Sequence, residues 1–274
     1  MTDLVVRRLL VDLETPFERR WNGGDAFRSA FFNALSFSFP AGEQFFIDSV
    51  RMGVEKLAPE QRERFDREVP AFIGQEATHR RIHQRFNAQL ERQGLVNRWQ
   101  ARIERRRKRL DGRDVRAWVG VTAATEHLTA LLAEHLFAHP EVLEGAEPRL
   151  ADLWFWHSSE ESEHRATAFD LYRALDGNEY WRRRLFYIVT FNFAVDVLRQ
   201  TALNLQRDGS LWRVSTWRSG WRFLFGRAGL VRRLAAPWKR YLAPDFHPSQ
   251  GDASAGERWL AQHAALAPPV GARR

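Results

Sequence analysis

Hydrophobic residues recur every three or four positions along most of this 274-residue chain, a spacing typical of amphipathic helices. No segment keeps the strict alternation of a β-strand between turn residues. The pattern therefore predicts an all-α fold, with a break in the first helix at Pro40 and a short segment starting at Pro59. The main predicted helices cover residues 25–37, 42–57, 70–93, 114–138, 148–175 and 180–207.

The segments between and after these helices differ in composition. Residues 98–116 are strongly basic and predict either an exposed helix or a long crossover. Residues 211–242 predict one or two further amphipathic helices, and the Ala-, Pro- and Gly-rich end of the chain predicts a frayed terminus. Breaks in the late helices are expected near Gly226, Gly229 and Pro237. We expect a bundle over residues 1–178 and a helical appendage over 179–274 packed on it, as a separate unit or as one continuous domain.

Composition limits the chemistry that the chain can carry. Hydrophobic residues make up 44% of the sequence, enough for a packed core, and there is no cysteine. The lack of cysteine excludes disulfides, thiolate metal sites, iron–sulfur clusters and a cysteine nucleophile. A metal site would have to use histidine and carboxylate ligands, which suit iron, manganese or zinc. Residues 1–20 lack the apolar core of a signal peptide, so a cytoplasmic location is expected.

The net charge of +8 is concentrated toward the end of the chain. Residues 181–241 hold thirteen Arg or Lys, two acids and five of the eleven Trp. This composition suits either an ordinary solvated helix face or a peripheral contact with the anionic inner face of a membrane. Nucleic acid is not an expected partner, because no nucleic-acid-binding motif accompanies the charge. The most apolar stretch, residues 185–195, is shorter than the roughly 20 residues needed to cross a bilayer.

Two Glu-x-x-His motifs, Glu76–His79 and Glu161–His164, are the strongest chemical signal in the sequence. On a helix, residues three apart share a face, so the carboxylate and the imidazole can reach the same ion. Glu43 precedes the first motif by 33 residues and Glu126 precedes the second by 35. The six residues therefore predict two helical hairpins, each offering Glu and then Glu-x-x-His. That is the ligand set of ferritin-like di-iron carboxylate proteins, so the expected fold is a ferritin-like four-helix bundle with additional C-terminal helices.

Further titratable residues lie close to these motifs. His157 is four residues before Glu161 on the same helical face, which makes it an additional predicted ligand. His83 has the matching place after His79 and is predicted as a ligand or as a hydrogen-bond partner behind one. His127 is also expected behind the ligands, and Glu160 is an alternative to Glu161. The residues expected at the surface are Glu134, His135 and His139.

Four motifs carry a family resemblance that covers nearly the whole chain. They are Phe-Pro-Ala-Gly-Glu43-Gln-Phe-Phe, Gln75-Glu76-Ala-Thr-His79-Arg-Arg-Ile-His83, Glu126-His127-Leu-Thr and Trp156-His157-Ser-Ser-Glu160-Glu161-Ser-Glu-His164, followed by Phe246-His247-Pro248. Together they resemble a bacterial family catalogued as predicted metal-dependent hydrolases. Locally, the metal motif also resembles p-aminobenzoate N-oxygenase, a di-iron enzyme. That enzyme has a histidine at the position of His157, which implies a nitrogen ligand there.

The predicted function follows from the ligand set. We expect two metal ions, iron first and manganese or zinc as alternatives, in an enzyme that uses dioxygen to oxidise an unidentified hydrophobic small molecule. The first alternative is a metal-dependent hydrolase using a metal-bridged water. The second is a non-catalytic metal-binding or storage protein. The helices that follow the fourth bundle helix favour an enzyme with a substrate cover, and a homodimer is a further expectation.

Overall fold

Helices make up most of residues 4–271, the part of the chain that the computed structural model describes. They are α1 (Ala26–Glu55), α2 (Pro59–Arg62), α3 (Glu68–Arg92), α4 (Gln100–Lys108), α5 (Val115–Ala138), α6 (Pro148–His164), α7 (Thr167–Ala174), α8 (Glu179–Arg207), α9 (Val214–Phe225), α10 (Leu230–Arg240) and α11 (Ser254–Gln262). Short 3-10 helices cover Glu63–Phe65, Pro140–Leu143 and Pro248–Gln250. Within residues 4–271 the only β-type pairing is two isolated bridges, so the all-α prediction is confirmed.

Helix α1 continues through Pro40, where the sequence predicted a break. A proline inside a helix removes the N–H that would pair with the carbonyl four residues earlier, here Ser36. The side-chain amide of Asn87 on α3 donates to that carbonyl at 2.9 Å instead. A contact 51 residues away therefore satisfies the backbone group that the proline leaves unpaired.

Two other helix boundaries differ from the predicted ones. The segment predicted as one helix over 148–175 divides at Arg165 into α6 and α7, and the Arg165 Nε donates to the carbonyl of Ser162 in the last turn of α6. The break expected at Pro237 is absent, because α10 runs through it. The break expected near Gly226 and Gly229 does separate α9 from α10.

The most extensive contacts between helices involve α1 and α5. α1 packs along α3, α5 packs on α6 and α7, and α1 also contacts α5. Their apolar side chains form two separate cores, one containing Phe39, Ile82 and Trp156 and the other containing Phe45 and Phe72. Along α1, Glu43 lies between Phe39 of the first core and Phe45 of the second, and along α3, Glu76 and His79 lie between Phe72 and Ile82.

Helix α8 crosses the bundle against α1 and α5. Its buried Asp196 pairs with Arg102 at 2.6 Å and with Arg106, both on α4, so the basic segment 98–116 contains a helix tied down by ion pairs. In the described part of the chain, none of the helices is long and apolar enough to span a membrane.

The two ends of the described chain pack on each other. The amide of Arg8 donates to the carbonyl of Pro268 at 2.9 Å, and Leu10 donates to Leu266 at 2.8 Å. Helix α11 lies on α6, where a Cβ at Gly256 would come within 3.0 Å of the Ser159 backbone. The prediction of a frayed C-terminal end is therefore wrong up to residue 271, because contacts with the N-terminal segment and α6 replace the missing local helix signal.

Candidate metal centre

Each of α1, α3, α5 and α6 points one glutamate at the same buried place. These residues are Glu43, Glu76, Glu126 and Glu161, and each residue is at most 2% exposed. Three buried histidines join them: His79, His157 and His164. The i,i+3 and i,i+4 spacings on α3 and α6 bring these imidazoles to the same faces as the carboxylates, as the sequence predicted.

The distances place Glu161 in the middle of the cluster. Its Oε1 lies 3.4 Å from His79 Nδ1, 3.4 Å from His157 Nε2 and 3.6 Å from His164 Nε2. His164 Nε2 also lies 3.1 Å from Glu76 Oε1 and 3.2 Å from Glu126 Oε2. Side chains from two other helices, α3 and α5, thus converge within a few ångströms of this one carboxylate or its histidine neighbours.

Donor atoms in this cluster are close enough together to hold a metal. Four overlapping groups have one ligand atom per residue, all within 4.8 Å of one another. They are Glu76, Glu161 and His164; His79, His157 and Glu161; Glu43, Glu76 and His79; and Glu43, His83 and His157. Among the described residues, both oxygens of Glu43, Glu76 and Glu126 accept no hydrogen bond. Buried carboxylates without donors are costly, and cations would relieve that cost.

The protonation of the metal-free cluster reflects crowding of like charges. Burial and then the charge of Glu76 hold the pKa of Glu43 well above its usual range. Burial and then the charge of Glu161 raise the pKa of Glu126 to about 8. For Glu161 burial acts in the same direction, but the close approach of His164 and His79 outweighs it and holds the pKa of Glu161 well below its usual range. A negative Glu161 among protonated neighbours is the arrangement that a cation would replace.

A second layer of side chains holds two of the histidines from behind. His79 Nε2–H donates to Glu160 Oε2 at 3.0 Å, which leaves Nδ1 directed at Glu161. His164 Nδ1–H donates to Gln75 Oε1 at 2.9 Å, which leaves Nε2 directed at the carboxylates. Such outer partners fix the ring and the tautomer of a metal-binding histidine. Glu160 is thus located behind His79, and Glu161 occupies the central position.

Arg7 and Glu163 complete this outer layer, and neither was predicted as part of the site. Arg7 forms a two-point pair with Glu163 at 2.7 and 2.9 Å and reaches Glu160 at 3.4 Å. Gln75 Nε2 also donates to Glu163, at 2.9 Å. Glu163 lies inside the second Glu-x-x-His motif and Gln75 directly precedes the first, which is the signal that could have suggested them. Nothing local distinguishes Arg7 from the other arginines.

A chain of hydrogen bonds behind His157 fixes its free nitrogen. The Ser36 hydroxyl donates to Asn87 Oδ1 at 2.7 Å, so it must accept from His83 Nδ1–H at 2.8 Å. His83 Nε2 then carries a lone pair and accepts from His157 Nδ1–H at 3.2 Å. His157 Nε2 is therefore left unprotonated beside Glu161, which is the state that a metal ligand needs. Burial and the charge of His79 lower the pKa of His157 to about 3, consistent with a neutral ring.

Two other histidines, His127 and His135, were predicted in places that differ from those in the structure. His127 stacks on Tyr241 with ring centroids 4.7 Å apart, and within the described residues it belongs to none of the four donor groups. His135 was expected at the surface but is buried. It lines a cavity of about 40 Å³ together with Phe223 of α9 and Leu230 of α10, so residues far along the chain contribute to its surroundings.

A larger cavity of about 330 Å³ leads from the cluster toward the surface. Glu43 and Glu161 lie at its buried end, and its walls are mainly apolar. The walls come from α1, from the segment around α4, from α5 and from α8, and include Phe45, Phe46, Trp99, Val121, Val189 and Phe193. The site can therefore receive an apolar molecule next to its carboxylates.

Comparison with known proteins gives a family for this chain. The sequence profile of a family described as predicted metal-dependent hydrolases matches residues 5–252. No curated protein and no solved structure shows significant similarity to the chain. The likeness to ferritin-type bundles consequently rests on the ligand pattern and stays a prediction.

Proposed function

The chain belongs to the family of predicted metal-dependent hydrolases, and from that premise we propose that it is a hydrolase holding two metal ions between α1, α3, α5 and α6. The observation that carries the proposal is the buried meeting of four glutamates and three histidines, most of whose carboxylate oxygens accept no hydrogen bond. Cations are the groups that would neutralise such a cluster.

Two overlapping sets of donors support a pair of ions rather than one. The sets are Glu76, Glu161 and His164, and His79, His157 and Glu161. Glu161 belongs to both sets, so it would help to hold both ions. Glu126 would extend the first set through its neighbour His164, and Glu43 would extend the second through its neighbour His79. Carboxylates and imidazoles without sulfur suit iron, manganese and zinc.

The bound metals would supply polarisation of a carbonyl and an acidified water. The chain's own residues supply orientation and a dry chamber. The apolar walls of the 330 Å³ cavity bind the hydrocarbon or aryl part of the substrate and bring its reactive bond to the end where Glu43 and Glu161 lie. We therefore infer an ester or amide with a substantial apolar group as the substrate class.

Dioxygen chemistry is the second candidate, and a specific observation favours it. One Glu from each of two helices with a Glu-x-x-His from each of two others is the donor set of di-iron carboxylate proteins. An apolar chamber beside such a set also suits oxidation of a hydrophobic molecule. Iron as the metal and dioxygen as the co-substrate belong to this second candidate.

Two measurements on the purified protein separate these functions. Elemental analysis after expression with iron, manganese and zinc tests for two metals per chain, with Glu161→Gln as the metal-deficient control. Hydrolysis of acyl esters and anilides without oxygen is then compared with substrate-dependent oxygen uptake in the presence of a reductant. Hydrolysis without oxygen by the wild type that is lost in Glu161→Gln supports the hydrolase. Oxygen uptake by the wild type without hydrolysis overturns the hydrolase proposal in favour of an oxidase. Metal loading with neither activity would leave a storage role.

The cavity of about 330 Å³ predicts that the enzyme selects its substrates by the length of their acyl chain. Val189→Phe narrows the cavity at α8, so kcat/KM for long acyl substrates should fall at least about tenfold while short ones change little. Val231→Phe, at a half-exposed position on α10, is the matched control and should leave both unchanged. Equal losses for long and short substrates would mean that the cavity is not the substrate chamber.

A further inference from the structure

Helix α8 exposes an apolar stripe on its outer face. Phe191 is 69% exposed, Leu198 55% and Tyr187 52%, and Tyr180 near the start of the helix is also exposed. At 100° per residue these four positions fall within about 40° of one another. Large apolar side chains that share one exposed face are typical of a surface that contacts something else.

The exposed charges between residues 180 and 199 are all positive, and Glu179 at the start of the helix already pairs with Arg173 and Arg182. Arg184 and Arg199 are exposed on the same helix. Between residues 180 and 199, all of which the structure describes, the single acid is Asp196, which is fully buried and paired with Arg102 and Arg106 of α4. The surface of this part of α8 therefore combines aromatic and aliphatic groups with uncompensated positive charge.

The stripe adjoins the mouth of the 330 Å³ cavity. Ile188, which follows Tyr187 in the chain, lines that cavity and is also 45% exposed, so α8 contributes both to the stripe and to the cavity. Three arginines from α4 and the residue after it, Arg106, Arg107 and Arg109, also line this cavity. The cavity next to the stripe is therefore lined by basic as well as apolar side chains.

We propose that the outer face of α8 docks on a bilayer surface that carries anionic lipids. Aromatic side chains would sit at the apolar boundary, and Arg184 and Arg199 would lie among the head groups. A second copy of this chain fits less well, since a two-fold contact between two α8 stripes would bring arginines together without an exposed carboxylate to pair with them. In this orientation an apolar substrate can pass from the lipid into the cavity beside Ile188. This last step rests on the proposed function.

Vesicle binding tests the docking without using the activity. The full-length, metal-loaded protein is sedimented with vesicles of phosphatidylcholine alone and of phosphatidylcholine with phosphatidylglycerol, at low and moderate salt. We expect binding only when the anionic lipid is present, and weaker binding as salt rises. Because the readout is sedimentation, a failure of the hydrolase proposal would not change it.

Matched variants locate the contact. Tyr187→Ser/Phe191→Ser should weaken binding at least about tenfold, because two large apolar groups no longer leave water. Replacing Arg184 and Arg199 by Gln should weaken it about fivefold for each arginine at low salt. The controls are Leu10→Ser/Val270→Ser and Arg81→Gln, which change exposed apolar and basic residues on other surfaces and should bind as the wild type does.

Several outcomes would overturn the proposal. One is no sedimentation with any vesicle. Another is a Trp217→Ala/Trp221→Ala variant, which changes two exposed tryptophans of α9, that loses vesicle binding while the α8 variants still bind. A third is a wild-type dimer that the Tyr187→Ser/Phe191→Ser variant converts to monomer without any vesicle binding, which would assign the stripe to a second copy.

Discussion

Glu160 and Glu161 are neighbours in α6 but face different partners. Glu161 meets three histidines at 3.4–3.6 Å, whereas Glu160 accepts from the far nitrogen of His79 at 3.0 Å and contacts Arg7. Glu161→Gln should therefore reduce the metal content from about two per chain to one or none. Glu160→Gln should keep two sites but weaken metal affinity about 10–100-fold, as loss of an outer partner usually does.

Elemental analysis and chelator competition measure these two effects separately. Glu18→Gln is the matched control, since Glu18 is exposed, and it should leave both stoichiometry and affinity unchanged. If Glu160→Gln lost the metals and Glu161→Gln kept them, the two residues would have exchanged roles.

Protons on the buried cluster make metal uptake depend on pH. Burial and the charge of Glu161 raise the pKa of Glu126 to about 8, so this carboxyl holds a proton at neutral pH in the metal-free protein. Burial opposes the charged form of His79, but hydrogen bonds to Glu160 and Glu161 raise its pKa to about 10. A bound metal displaces these protons, so apparent affinity should rise with pH, about tenfold per pH unit for each proton released.

The rise should weaken above about pH 8, where Glu126 has already lost its proton, and continue toward about pH 10 through His79. Calorimetric titration at pH 7 in buffers of different ionisation enthalpy counts the protons released. Glu126→Gln should release about one fewer proton than the wild type. Equal affinity at pH 6 and pH 7.5 would contradict this protonation scheme.

At the scale of elements, the continuity of helix α1 at Pro40 depends on a hydrogen bond from α3. The Asn87 amide donates to the Ser36 carbonyl that Pro40 leaves free, and the Asn87 oxygen accepts from the Ser36 hydroxyl that orients His83. Asn87→Ala should therefore lower the free energy of unfolding by about 1–3 kcal/mol, the usual cost of an unpaired buried polar group. The same variant should perturb metal binding at His157, which hydrogen-bonds to His83.

The variant Pro40→Ala tests whether Asn87 compensates for the hydrogen bond that the proline removes. It restores an N–H that can donate to the Ser36 carbonyl along the helix, so Pro40→Ala/Asn87→Ala should recover much of the stability lost in Asn87→Ala. Urea unfolding of the four proteins in the cycle gives the coupling energy. Strictly additive effects would show that Asn87 does not compensate for the proline.

At the scale of the whole molecule, the late helices are integral to the packing around the site. Helix α8 buries Leu185, Phe186 and Val197 against the bundle and forms one wall of the cavity, and α11 packs on α6. Removing residues 179–274 would expose the apolar faces of α1 and α5. We expect the full chain to unfold in a single cooperative transition, and the fragment 1–178 to lack a cooperative transition.

Scanning calorimetry of the full chain and thermal circular dichroism of fragment 1–178 measure whether each unfolds cooperatively. Equal calorimetric and van't Hoff enthalpies for the full chain would agree with one cooperative unit. A fragment that folds, binds two metals and melts cooperatively would instead make residues 179–274 a separate appendage.

The sequence by itself determined the features that depend on local periodicity. Helical spacing predicted the all-α fold and most helix positions, and the absence of cysteine limited any metal site to carboxylates and imidazoles. The Glu-x-x-His spacing placed His79 beside Glu76 and His164 beside Glu161 on single helix faces, because residues three apart share a face whatever the helix packs against. Glu43 and Glu126 followed from their regular distance before these motifs.

Only the tertiary structure decided the features that depend on contacts between distant segments. It separated Glu160 from Glu161, brought Arg7 behind the site, placed residues of α9 and α10 in the lining of the cavity beside His135, and carried α1 through Pro40 with the help of Asn87. In each case a hydrogen bond or a neighbouring side chain comes from an element far away in the chain. Local spacing fixes which side chains share a face, whereas packing fixes what that face meets, and only the latter selects among similar neighbouring residues.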